Sequence, residues 1–228
     1  VVVLALSGAI MVFPFLLMSL TSLKEAREIV TSGLNILPLK PTLQNYVKVF
    51  EETLMVRFLL NGVIVTAAIV AGQLFVSIPA AFVFARRRFP LKKILFGLVL
   101  AALVFPRYIA AIPNFLLLSG LGLINTYTAL IIPSFASSFC IFLLRQFMMT
   151  IPQDFIDAAE IEGCGILRMI YQIMVPMIRP AIGSFAIFSV VMHWNDFFWP
   201  LIVVRSKEMF TPPAGIVFFA DSEGASDW

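Results

Sequence analysis

Few side chains in this 228-residue chain are equipped for chemistry, and their surroundings limit what that chemistry is. The single histidine, His193, stands in an apolar run, where a lone imidazole packs or lines a pore; a Ser/His/Asp triad has no base elsewhere. Cys140 and Cys164 share neither CxxC nor Cys/His spacing and read as two free thiols, with no metal site. No GxxxxGK loop is present, so the chain holds no nucleotide by the P-loop route. Two polar sets remain. One is Arg107 together with Trp194, Asn195 and Asp196, all inside otherwise apolar segments. The other is the insert DFIDAAEIEGCGILRMIYQIMVPMIRP, residues 154–180, with Asp157, Ala158, Ala159, Glu160 and Gly163 near its start. It is a mostly soluble-looking insert between two membrane-grade segments, and it reads as a docking element for a soluble partner rather than as bond-breaking machinery.

The elements that must position these residues are membrane helices. A chain with 61% hydrophobic and 13% charged residues lies outside globular composition. Apolar runs near Val1 to Leu20, Phe58 to Ala85, Ile94 to Leu118, Thr126 to Phe147 and Ala181 to Val204 are each long enough for a core of roughly 30 Å. Five spanning helices are therefore expected. Barrel strands would alternate in polarity, whereas GLVLAALVF is apolar at every position. The first run carries no signal-peptide n-region or cleavage site and reads as a spanning helix without its start. Asp221 to Trp228 reads as a polar stretch ending before a further apolar segment.

Arg86, Arg87, Arg88, Lys92 and Lys93 crowd the turn after the second span with no acid among them, which places that turn in the cytoplasm. A nucleic-acid or lipid patch is not needed to explain it. Counting spans puts Leu23 to Leu54, Ser119 to Asn125 and Arg205 to Trp228 outside, and Met148 to Pro180 inside.

Within that inner segment, Thr150 followed by Gln153 matches a capping box and Pro152 suits a first helical turn, so a helix is expected from about Ile151. Phe155, Ala158, Ala159 and Glu162 fall at helical spacing and predict a narrow face of small side chains, with Asp157 and Glu160 pointing elsewhere. Gly163 and Gly165 supply the break, and a second helical stretch from Ile166 is expected to stop at Pro176, with Pro180 opening the next span. A helix resting on lipid headgroups is normally basic on its polar face, and this one is acidic.

Ala158, Ala159, Gly163, Ile173, Pro176 and Pro180 resemble the EAA-loop signature of permease subunits in binding-protein-dependent ABC importers, with Asp157 where that family usually has Glu. GLGLINTYTALIIP at 120–133, FLLRQFMMTIPQDFIDAA at 142–159 and WNDFFWPLIV at 194–203 are similar to its carbohydrate branch; the last is particularly similar to permeases for glycerol-phosphate and related sugars. The likeness runs from about Phe58 to Trp228. It implies an all-α type I importer transmembrane domain with five of six expected spans visible, residues 1–57 forming a first helix and outer loop and residues 58–228 the permease core. It implies a bacterial or archaeal inner-membrane complex with a second permease subunit, two cytoplasmic ATPase subunits that bind the ATP and Mg, and an extracytoplasmic solute-binding protein. Asp157, Ala158, Ala159, Glu160 and Gly163 would then be the ATPase-coupling positions, and this chain would itself be no enzyme.

On that resemblance, Arg107 near the middle of the third run is the sharpest pathway candidate, since an Arg at a span centre costs about 2.5 to 3.5 kcal/mol on insertion scales. It can hydrogen-bond sugar hydroxyls, hold a phosphate, pair with the partner subunit or with Asp196, or lie nearer the outer surface if Pro106 ends the helix early. Trp194, Asn195 and Asp196 suit a sugar, an interface belt, or a gating and packing role. Pro79, Pro106, Pro113 and Pro133 mark candidate kinks. A proton- or sodium-coupled secondary transporter is the alternative; it would need mid-membrane acids and a repeated half, and only Asp196 is available. No filter-like loop suggests a channel.

Overall fold

The computed structural model describes residues 2–25, 28, 29 and 35–224. Parts of the expected outer segment (26, 27 and 30–34) and the end of the expected polar tail (225–228) lie outside that description. Val1–Val56 forms one compact unit and Arg57–Trp228 a second.

In the first unit, α1 (Val2–Ser22) is apolar on every side and exposes residues such as Ile10 and Met18. A helix with that pattern is built for lipid or a protein neighbour, not for water. Its last carbonyl, Ser22 O, is met at 2.9 Å by Asn45 Nδ2 from the second helix, α2 (Gln44–Glu52), which also donates to Lys24 O just past the helix at 2.7 Å.

The second unit is organised on α3 (Met55–Arg86), whose 32 residues reach about 48 Å and run unbroken through Pro79. Then α4 (Lys92–Val104) stops where Phe105, the residue before Pro106, takes the extended conformation proline imposes on its predecessor. A 3₁₀ turn (Arg107–Ala110) leads into α5 (Ala111–Gly120), whose Pro113 sits harmlessly in the first turn. α6 (Tyr127–Ile131) and a 3₁₀ turn holding Pro133 precede α7 (Ser138–Thr150), which begins anew because Ser137 Oγ accepts from Cys140 N at 3.2 Å. The chain continues through α8 (Asp154–Ile161), α9 (Ile166–Met177), α10 (Arg179–Trp194), α11 (Phe198–Val203) and α12 (Pro212–Gly224).

Of the five spans expected from hydropathy, with candidate kinks at Pro79, Pro106, Pro113 and Pro133, most are divided, and Pro79 makes no break. Among the described residues, Met55–Arg86 alone is long and apolar enough to cross unbroken, with up to four crossings if each bent pair counts as one. Ile94 to Leu118 is interrupted at Phe105–Pro106, and Thr126 to Phe147 bends by 44° between Ser134 and Ser138. Ala181 to Val204 is cut after Trp194, and α9 joins α10 at an 80° corner instead. Hydropathy alone does not locate these breaks; Pro106 and Pro133 flag two of them, and caps and pre-proline residues set where they fall.

Two cores form along α3. The inner one gathers Ile78, Ala81 and Phe82 of α3 with Leu144 and Met148 of α7, Met169 and Met174 of α9 and Phe185 of α10. The other joins Val65 and Ile69 to Leu118, Leu130 and Val203. At Gly72, between them, another segment comes close: a Cβ there would stand 2.5 Å from the Phe135 ring.

Candidate functional site

The inner loop is a pinned helix. α7 runs through Thr150, whose Oγ donates back to Phe147 O at 2.8 Å, and Ile151 is extended before Pro152. The expected capping box therefore does not form: Thr150 ends one helix instead of opening the next, and Gln153 Nε2 reaches Asp157 Oδ1 at 2.9 Å. α8 starts at Asp154, three residues later than expected. It closes in a Schellman turn, with Cys164 N donating to Ala159 O at 2.9 Å and Gly163 N to Glu160 O at 3.0 Å. Gly163 takes φ +72°, the conformation expected of it, while Gly165 is extended. The second stretch does not stop at Pro176. A π segment, Met169–Met174, precedes that proline, and the helix ends at Met177, with Ile178 at the corner before the next.

The predicted small face is split. Ala159 is buried with Ile156 in the inner core, so its side chain holds α8 to the membrane helices and presents nothing outward. Asp157, Ala158, Glu160, Glu162 and Gly163 are exposed. Beside them lie large apolar groups, Phe155 at 50%, Ile161 at 88% and Leu167 at 70% exposed. Ile161 and Leu167 were not singled out from sequence, although apolar residues in a charged insert are a readable signal. Glu160 Oε1 accepts from Arg87 Nη1 at 3.1 Å, which puts the basic turn and the insert on one side of the molecule.

The second feature is a cavity of about 650 Å³ lined by Phe105, Pro106, Phe139, Phe188, Ser134 and Ser137, among others. Its polar centre is Gln73, 5% exposed, which donates to Ser134 O at 2.9 Å and lies 3.2 Å from His193 Nε2. Ser189 Oγ donates to Gln73 Oε1 at 2.6 Å. With both amide hydrogens directed at acceptors, His193 Nε2 accepts in this arrangement. His193 thus lines a cavity, one of the two roles read for it. Gln73 was missed; a carboxamide within AGQLFV was its only signal.

Arg107, Trp194, Asn195 and Asp196 do not line that cavity as a group. The side chain of Arg107 lies outside the described structure, but its backbone follows Pro106 in the 3₁₀ turn, so it is not at the middle of a continuous helix. Trp194 packs near Gly62, where an added Cβ would lie 3.2 Å from its ring. Asn195 is exposed and donates to Val191 O at 2.8 Å, terminating α10. Asp196 Oδ1 accepts from Trp199 N at 3.3 Å, and the residue lines a separate recess of about 150 Å³ with Tyr108 and Asn114. The helix break made by these residues is self-capped.

On the side opposite the insert, Asn61 donates to Glu208 O at 2.8 Å and Phe210 O at 2.9 Å and accepts from Tyr127 OH at 2.6 Å. Asn125, at φ +65°, accepts from Arg205 N at 2.9 Å and from Ser206 N at 3.0 Å.

The family model described as "Binding-protein-dependent transport system inner membrane component" matches residues 73–224. The arabinooligosaccharides transport system permease protein of Bacillus subtilis is 35% identical over 90% of this chain and 74% of its own. The diacetylchitobiose uptake system permease protein of Streptomyces coelicolor is 32% identical over 96% and 73%. The sn-glycerol-3-phosphate transport system permease protein of Yersinia pestis is 32% identical over 73% and 59%. The crystal structure of a bacterial ABC transporter involved in import of the acidic polysaccharide alginate superposes with a TM-score of 0.87 over 100% of this chain and 79% of that one, at 21% identity.

Proposed function

The chain belongs to the binding-protein-dependent transport system inner membrane component family, and on that premise we propose that it forms half of the pathway of an ATP-driven importer for a sugar or sugar derivative. It is an inner-membrane permease subunit of the carbohydrate branch, with the type I importer fold. The single observation that carries the coupling role is α8: a short helix anchored inward by Ile156 and Ala159, ended by Gly163 in a left-handed conformation, and showing acids and large apolar side chains on its free surface. Asp157, Ala158, Glu160 and Gly163 meet the ATPase on this reading, and Ala159 transmits the load to the helices behind it. ATP and Mg are bound by two partner subunits, and a second permease and a solute-binding protein complete the complex. The permease supplies no bond-breaking step; nucleotide closure shifts the balance between two packings of its helices.

The cavity around Gln73 supports a sugar as the passing solute, because its phenylalanines offer faces to C–H surfaces while its serines and amide offer hydrogen bonds to hydroxyls. Arg107 and Asp196 remain pathway candidates at the cavity's neighbouring break, whereas Trp194 and Asn195 act by packing and capping.

The test is uptake into vesicles holding the reconstituted complex, with arabinooligosaccharide, diacetylchitobiose and glycerol-3-phosphate offered in turn. Accumulation requires ATP inside the ATPase compartment and the binding protein on the other side. Uptake driven by a proton or sodium gradient without ATP would replace the importer with the secondary transporter.

A further inference from the structure

The basic turn after α3 has a sufficient topological reason to be basic, yet its arginines are not simply solvated. Arg86 Nη2 donates to the carbonyls of Met148, in the last turn of α7, and Ile151, just past its end, and Arg86 Nη1 donates to Gln153 Oε1 at 3.1 Å. Gln153 in turn donates to Asp157 Oδ1 at 2.9 Å, on the free surface of α8. Arg87, one residue on, bonds Glu160 of the same helix. From the other direction, Arg145 of α7 donates through Nε to Phe84 O at 3.1 Å, with its guanidinium 4.0 Å from the Phe96 ring centre of α4. Arg87 directly, and Arg86 through Gln153, thus tie the inner end of α3 to the docking helix, while Arg145 ties α7 back to α3 and α4.

We infer that Arg86 is a positioning residue for energy coupling: with Arg87 it makes the inner end of α3 and the helix α8 one mechanical body, braced by Arg145 through α7, so that displacement of α8 moves the unbroken span. This rests on the coupling role proposed above for α8. Charged hydrogen bonds to carbonyls are stronger than neutral ones, and a fork that spans two carbonyls and an amide fixes an orientation as well as a distance. The hydrophobic contacts of Ile156 and Ala159 hold α8 against the core but resist sliding poorly, because they are not directional.

The experiment uses the complete reconstituted complex with Arg86→Gln, Arg86→Lys and Gln153→Ala. Arg86→Gln should leave ATP hydrolysis in place while solute taken up per ATP falls about tenfold, and Arg86→Lys, which keeps the charge but not the fork, should recover part of that loss. Gln153→Ala leaves the topogenic charge and the inner core untouched, so it remains informative if Arg86→Gln fails to insert; it should lower the same ratio about threefold. Spin labels at positions 88 and 162 supply a direct readout: their separation should stay constant between the nucleotide-free and ATP-trapped states in the parent and vary in Arg86→Gln. Unchanged stoichiometry in both Arg86→Gln and Gln153→Ala, or a label distance that changes with nucleotide in the parent, overturns the linkage. If a bulky residue at Gly163 also leaves coupling intact, the failure belongs to the docking assignment of α8 itself.

Discussion

Gly163 offers a way to separate docking from folding. It holds φ +72°, and a Cβ added to it meets nothing within 4 Å. Any side chain therefore projects into the space a partner would occupy, and no clash inside the chain confuses the result. The remaining internal cost is backbone strain, about 1–2 kcal/mol for an ordinary residue in the left-handed region and least for Asn, which visits it readily. Three substitutions then order differently under two explanations. If coupling fails because the Schellman turn is strained, the loss follows Val, then Ala, then Asn. If it fails because bulk blocks docking, Asn and Val act alike and Ala is mild. The docking assignment predicts the second order, with solute transported per ATP falling roughly fivefold to tenfold in Gly163→Asn and Gly163→Val, a coupling change of about 1–1.4 kcal/mol. Vesicle uptake and ATP hydrolysis measured on the same preparation give the ratio. A normal ratio in Gly163→Asn alongside a poor one in Gly163→Ala would refute the reasoning.

Other outcomes follow from the packing. Gln73→Leu removes the acceptor of Ser189 Oγ and the donor to Ser134 O, so thermal unfolding of the detergent-solubilised complex should shift by about 1–3 kcal/mol, and transport should fall more than ATP hydrolysis. Gly72→Val drives a side chain into the Phe135 ring and should destabilise by about 1–3 kcal/mol, with Phe135→Ala in the same chain restoring most of the loss; no rescue would place the damage elsewhere. Asn125→Gly keeps the positive φ and discards the bonds to Arg205 and Ser206, whereas Asn125→Ala loses both. Both should loosen the outer loop in hydrogen exchange, with Ala the more severe by about 1 kcal/mol.

What could be read from the chain was whatever is local. The apolar length of α3, the basic turn that follows it, the acidic insert and the left-handed Gly163 each depend on a few neighbouring residues and on the membrane's thickness. The breaks were harder. Pro106 was noted as a kink, but the interruption lies as much in Phe105, and the restart of α7 depends on one serine inside an apolar run. Pairings across long separations were out of reach: Gln73 finds Ser189 116 positions away, and Asn61 finds Phe210 149 positions away. The capping box misled for a related reason. Thr150 and Gln153 have the right spacing, yet α7 had not ended, and a residue cannot cap the helix after it while completing the one before it.

The distribution of broken and unbroken helices is itself an argument about how the subunit works. A continuous helix satisfies its own backbone, so α3, unbroken for 32 residues, is suited to carry displacement and meets a cavity only through side chains such as Gln73. A break frees carbonyl and N–H groups, which the hydrocarbon does not tolerate; they survive only where protein or a cavity meets them. Two breaks here do face the cavity, since Phe105 and Pro106 line it from one bent pair and Ser137 and Ser138 from another. α3 contributes Gln73 to that cavity midway along its length, Arg86 to the inner linkage and Asn61 to the outer loop. On the proposed coupling role, a push delivered at α8 would reach the cavity and the outer loop through one stiff element, while the walls that would rearrange around a solute are the ones whose helices are already divided.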